Sequence, residues 1–383
     1  MGTACACAAV TGTKGETITW TRAGSAYCTK EGLATTGLTT TSMVLCSSNL
    51  PRIESDGTGV LGPLVESART NVLLQSEAFD NAAWLVQATG AAAPTVTADQ
   101  AVTPWGTTTA ERIQFPATAT AQESIKYQAS TVGQPVSCFV YVKGVSAGGT
   151  LGLFINNGTT GLSQPCAYLS TSWTECKISH ASGSAANFII GNESTAFFGG
   201  VAAPANDVYV AGGQCEAAAY STSYIATTTV AVARAKDNDS FNASTFPAVA
   251  YSKAASLNAP WSSANGPALP SLITAEISST SGTDFFIAGG GLRIQNLSTG
   301  AFSATTGTLS IIAGTPMRLA GSSSGGFVSH YKNGALFFGP TALTMAAAPN
   351  STGAAFADDT VGTSHLDGII SNICWDADPA RCR

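Results

Sequence analysis

The sequence predicts an all-β protein made of two antiparallel β-sandwiches preceded by an extended N-terminal segment. Short β-branched and aromatic runs recur along the chain, separated by Gly, Asn and Ser turns. No stretch carries the period of a long amphipathic helix; Ser76 to Trp84 comes nearest. At 383 residues the chain is too long for one ordinary core.

Residues 1–70 read as an extended attachment or assembly segment. Glu16 to Arg22 alternates like a strand, but Thr, Gly and Ser runs with Pro51 and Pro63 follow. Too few aliphatic residues are present for a core of its own, so Ile18, Trp20, Val44, Leu45 and Leu50 need burial elsewhere. Residues 71–235 read as a first sandwich. Its strands include Ser137 to Lys143, Thr150 to Ile155, Phe188 to Ile190 and Asp207 to Ala211, with a hairpin signal at Asn156-Asn157-Gly158. Residues 236–270, with Pro247, Pro260, Pro267 and Pro270, read as a linker. Residues 271–383 read as the second sandwich, with its clearest hairpin at Asn333-Gly334 and a last strand from Gly368 to Trp375.

Charged residues make up only 10% of the chain, against about 25% in typical domains. The net charge is −6, so no basic patch for nucleic acid is expected. Hydrophobic residues at 44% argue against disorder, and no apolar run has membrane-spanning length. The start, Met1 to Cys7, has no basic and apolar leader pattern, so no secretory signal is expected in it. The three histidines, His180, His330 and His365, are scattered, and no HExxH, GxSxG or Walker-type loop occurs. The chain is therefore expected to be no enzyme and to need no cofactor. A glycosidase would need a carboxylate pair about 5 to 10 Å apart. Asp358, Asp359, Asp376 and Asp378 are the acids that a polysaccharide-degrading alternative would use. Asp237-Asn238-Asp239 offers alternating oxygens, but no calcium loop follows, and no metal site is expected.

Ten cysteines occur without a CxxC pair, which favours disulfides and buried thiols over zinc. The expected bridges are Cys374–Cys382 and Cys166–Cys176, with Cys28–Cys46 as a further candidate. Bridges imply an oxidising destination.

Two stretches carry a resemblance. Gly62-Pro-Leu-Val-Glu-Ser-Ala-Arg-Thr-Asn-Val-Leu-Leu-Gln-Ser-Glu-Ala-Phe79, followed by Trp84, resembles the "ARTNLLLQSE" signature of tailed-bacteriophage structural proteins. Gly213-Gln-Cys-Glu216, Ser221-Thr-Ser-Tyr-Ile-Ala-Thr227 and Arg234-Ala-Lys-Asp237 resemble the closing "TSYI.T" and "RAxD" parts. The resemblance implies a non-enzymatic virion protein, a tail fibre or a head decoration. It implies a jelly roll like those of carbohydrate-binding modules in the middle, and a concanavalin/laminin-G-like sandwich at the end. Other virion proteins become the expected partners, with a homo-oligomer, a trimer by preference, on the particle exterior. Cys215 departs from the pattern, which has an aliphatic residue there.

Within the signature, Glu66, Arg69, Asn71 and Tyr224 read as structural: Glu66 and Arg69 as a pair, Asn71 as a turn cap. Host-surface polysaccharide is the candidate ligand. Of the six Trp, Trp105 and Trp261 follow prolines in loop-like settings and are the candidate sugar platforms.

Overall fold

The computed structural model describes residues 6–7, 18–29, 36–40, 42–55, 60–132, 135–156, 161–180, 185–193, 202–241, 251–259, 261, 271–278, 281–288, 291–296, 302–304, 309–324, 326–343, 353–356 and 368–376. Among them every regular element is a strand and none is a helix. The segment Ser76 to Trp84 is a run of turns, with Ala78, Asn81 and Trp84 each donating to the carbonyl three residues back. The chain divides into two compact units, each described by itself below.

The unit of residues 34–45 and 69–234 is a sandwich of two antiparallel sheets. Its six-stranded sheet runs Thr95–Ala101, Ala110–Phe115, Asn206–Glu216, Val136–Gly144, Trp173–His180 and Thr36–Leu38. Its five-stranded sheet runs Gly161–Tyr168, Gly149–Asn156, Ala185–Glu193, Glu123–Val132 and Leu85–Thr89. Period-two alternation turns Val136, Cys138, Val140 and Val142 inward from the first sheet. Leu151, Leu153, Ile155, Phe188 and Ile190 face them from the second. Burying each such side chain contributes about 1.5–3 kcal/mol. Trp84 closes the core over Phe79 at 4.4 Å, with its indole N–H donating to the Gln75 carbonyl at 3.0 Å.

Two disulfides brace this unit. Cys166 and Cys176 are bridged as expected, but the strands that carry them belong to different sheets, so the bond crosses the sandwich. Cys138–Cys215 is a second bridge, between paired neighbours within the six-stranded sheet. The 77-residue separation hid it from a reading of short spacings. Cys215 is therefore a bonded strand residue, which accounts for its departure from the aliphatic pattern.

The other unit comprises residues 1–33, 46–68 and 235–383, and it corrects the expected boundaries. Residues 1–70 do not form a separate arm. Val60–Val65 pairs with Gly368–Asp376, and Ile18–Thr21 pairs with Asn238–Phe241. The eight-stranded and seven-stranded sheets of this unit thus mix strands from both ends of the chain. The expected linker 236–270 also holds strands. Tyr251–Asn258 lies between Met317–Ser324 and Gly368–Asp376. Its Ala and Ser residues carry little β-propensity, but Ala254, Ala255 and Leu257 are buried, and packing decides.

The Asn333-Gly334 hairpin forms as read, with positive φ at both residues and Lys332 opposite Ala335. His330 is buried mid-strand beside the Phe338 ring. The Cys28–Cys46 bridge does not form. Their sulfurs lie 3.7 Å apart, beyond bonding distance, and Cys46 is disulfide-bonded elsewhere. The Cys374–Cys382 call and the Asp358, Asp359 and Asp378 calls lie outside the described residues.

Candidate functional site

The two faces of the five-stranded sheet differ. Its inward residues fill the core, and the opposite alternation puts a second apolar cluster on the outer face: Ile125, Phe154 and Ile189, with Tyr127 packed against them. Strand register aligns these residues in rows. Tyr127 stands opposite Ile189, Ile189 opposite Phe154, and Leu85 opposite Tyr127 on the other side. Phe154 and Ile189 are buried as a floor, whereas Tyr127 is half-buried and Leu85 exposed.

Glycine shapes this floor. A Cβ on Gly152 would lie 2.5 Å from the Phe154 ring, so the ring lies down over the backbone only because position 152 has no side chain.

Polar groups close the strip at both ends. At one end Glu123 stands opposite Glu193 and Thr89. Its Oε1 accepts from Gln87 Nε2 at 2.6 Å and Thr89 Oγ1 at 2.5 Å. Burial pushes this carboxyl up, but hydrogen bonds from Glu193, Thr89 and Gln87 outweigh burial and hold it below its ordinary value. At the other end Asn187 Nδ2 donates to Asn156 Oδ1 at 3.0 Å. An aromatic and aliphatic strip flanked by a carboxylate and amides suits a ligand with C–H faces and hydroxyl edges.

The sequence candidates for sugar stacking lie elsewhere. Trp261 is a core residue, 2% exposed, and offers no face to a ligand. Trp105 lies half-buried against the outside of the six-stranded sheet. It stacks on Tyr224 at 4.6 Å and meets Tyr141 edge-on at 5.7 Å. Sequence reasoning missed Tyr127 and Phe154 because alternation alone does not say which face of a sheet is covered.

The signature residues take part in bonds that hold the fold. Within its own unit Glu66 pairs with Arg52, a partner the sequence reading did not name, with Arg52 Nη1 donating at 2.5 Å. Arg69 approaches Glu216 at 3.8 Å and lies over the Tyr220 ring. Asn71 makes the expected local cap, its Oδ1 accepting from the Leu73 amide at 3.1 Å. It also does what no local reading shows: Oδ1 accepts from the Cys215 amide, and Nδ2 donates to the Gly213 and Ile225 carbonyls. Tyr224 is buried and hydrogen-bonded to Ser76 at 2.7 Å, so the closing segment lies over the sheet as a cover. Asp237 binds two guanidinium groups, which occupies the oxygens a cation would take. Among the described residues no group of three or more His, Cys, Asp or Glu is placed to hold a metal.

No protein-family profile matches the chain. No curated protein matches it either. Among solved structures it is similar to mouse laminin alpha1 domains LG4-5, at 10% identity, with 82% of this chain and 91% of that chain covered and a TM-score of 0.27. It is also similar to the CBM22-1-CBM22-2 tandem domain of Paenibacillus barcinonensis Xyn10C, at 9% identity, with 82% and 98% covered and a TM-score of 0.25. A crystal structure of an HCR/D mutant matches at 13% identity and a TM-score of 0.27, and the chain spans 38% of that protein's length. Likenesses at these scores decide nothing about the chain. Its own strand pairing makes it an antiparallel β-sandwich protein.

Proposed function

We propose that the chain is a non-enzymatic structural protein of a bacteriophage particle, a tail fibre or head decoration, that holds a host-surface glycan on the outer face of its five-stranded sheet. The observation that carries the glycan reading is the row Tyr127–Ile189–Phe154, with Glu123 at one end and Asn187 and Asn156 at the other. A pyranose ring lays its C–H face on Tyr127, and its hydroxyls donate to Glu123 and exchange hydrogen bonds with the amides. The virion reading is supported by the two signatures, whose residues build the Asn71 and Tyr224 brace. A particle component works in repeated copies beside other virion proteins, and a trimer is the closed form we favour.

A glycan array probed with the full chain and with Tyr127→Ala tests the ligand. Binding that the substitution abolishes supports the reading; equal binding by both, or none by either, removes it. Antibody labelling of purified particles tests the location, and absence from the particle defeats the virion assignment.

A further inference from the structure

In the unit of residues 1–33, 46–68 and 235–383, a cleft of about 470 Å³ opens where three stretches meet: residues 21–24, 48–49 and 235–238. Arg22 stitches all three. Its amide donates to Asn49 Oδ1 at 3.1 Å, and its carbonyl accepts from the Asn49 amide at 3.2 Å. Its Nε donates to the Gly24 carbonyl at 3.2 Å, and its Nη1 to Asp237 Oδ1 at 2.7 Å. Thr21 and Asn238 stand opposite one another at the end of the ladder between Ile18–Thr21 and Asn238–Phe241. The walls are thus fixed before any ligand arrives, which lowers the ordering cost of binding.

The lining is polar, and its charge has one sign. It holds the cations Arg22 and Lys236 and no carboxylate, in a chain whose net charge is −6. Asp237, the acid between Lys236 and Asn238, is 1% exposed and turned into the knot with Arg22 and Arg52. Arg22 is buried beneath the cleft, Lys236 and Asn238 are half-buried, and Thr21, Ser48 and Asn49 are exposed. No aromatic ring and no apolar side chain larger than Ala lines the space. A ligand here cannot be held by stacking. It must be held by charge and by hydrogen bonds at its edges.

We propose that this cleft is a second ligand site, one that takes an acidic sugar unit, a hexuronate, of a polysaccharide. Clefts of roughly 300–1,000 Å³ hold small-molecule ligands, so this one admits one or two sugar rings. The Lys236 ammonium receives the sugar carboxylate as a point charge. The side chains of Thr21, Ser48, Asn49 and Asn238 exchange hydrogen bonds with the ring hydroxyls. One cation among four neutral hydrogen-bonding side chains matches a ligand with one acid and several hydroxyls. The guanidinium of Arg22 is committed to Asp237 and to backbone carbonyls, so it positions the walls. The site lies in the unit that does not carry the Tyr127 strip, and it stands or falls independently of that strip.

Isothermal titration calorimetry of the full chain with trigalacturonate, and with maltotriose as the neutral match, tests this. Trigalacturonate should bind at least about tenfold more tightly than maltotriose, and Lys236→Gln should remove that preference. Lys236→Arg should keep it. Raising the salt from about 0.05 M to about 0.5 M should weaken trigalacturonate several-fold, because the contact is charged and solvent-accessible. Asn238→Ala keeps both cations and the backbone ladder, and it should weaken binding about threefold or more by the loss of one hydrogen bond. Tyr127→Ala should leave trigalacturonate binding unchanged. Equal affinity for the two sugars overturns the proposal, as does undiminished binding by both Lys236→Gln and Asn238→Ala. Loss of binding on Tyr127→Ala overturns it too, by moving the uronate to the strip. Inorganic phosphate that competes as well as the uronate removes the sugar from the assignment and overturns it.

Discussion

Arg22 Nη1 donates to Asp237 Oδ1 at 2.7 Å, joining residues 215 positions apart, with both side chains 2% exposed. The same carboxylate accepts from Arg52, and its second oxygen also accepts from the Glu66 amide at 3.0 Å. Arg22 is further saturated by the Gly24, Cys46 and Ser47 carbonyls. This knot holds the N-terminal lead-in within the unit that the C-terminal strands complete. Asp237→Asn leaves two buried guanidinium groups short of an anion. The expected cost is about 3–5 kcal/mol, read by urea denaturation. A change below about 1 kcal/mol would mean that the knot is solvated.

Deleting residues 1–60 removes the strands Ile18–Thr21 and Arg52–Ser55 together with the Arg22 and Arg52 partners of Asp237. The unit of residues 235–383 should then fail to fold. Circular dichroism that retains its full strand signal and a cooperative melt would contradict this.

The two disulfides should differ in worth. On the chain-entropy estimate, Cys138–Cys215 with its long loop contributes on the order of 4–5 kcal/mol, and Cys166–Cys176 about 2.5–3 kcal/mol. Cys138→Ser paired with Cys215→Ala should lower the denaturation midpoint more than the matching double change at 166 and 176. The reverse order would place the stabilisation in the folded-state geometry instead of the loop length.

His330 makes stability depend on pH. Burial lowers its pKa from 6.5 to about 4, so the folded state keeps the imidazole neutral while the unfolded chain protonates it. Between those values the unfolded state binds more protons. This stability is fully present above about pH 6.5 and is lost progressively as pH falls toward 4. The total effect is on the order of 3 kcal/mol. Replacing His330 by Leu should flatten that part of the stability profile, and a slope unchanged between pH 6.5 and 4 would exclude His330 as its source.

Tyr127→Ala and Glu123→Gln should each weaken glycan binding by about tenfold or more, a change of about 1.4 kcal/mol. Trp105→Ala should leave the affinity unchanged and lower the melting temperature, because that ring packs on Tyr141 and Tyr224. Binding lost on Trp105→Ala alone, with the melt unchanged, would return the site to the loop.

The sequence by itself determined the all-β class. Alternation of apolar residues is a local property, and Asn333-Gly334 specifies its own hairpin through positive φ. It also determined that Cys166 and Cys176 could meet, since a ten-residue separation keeps them near under many arrangements. Only the tertiary structure decided that Val60–Val65 pairs with a strand some 300 residues later, because backbone edges attract any complementary strand and carry no address. It alone decided that Glu66 meets Arg52, that Trp261 is core, and that Phe154 and Ile189 form a floor on the sheet's second face. Period-two alternation distinguishes two faces of a strand. Which of them water reaches depends on what the rest of the chain lays over it.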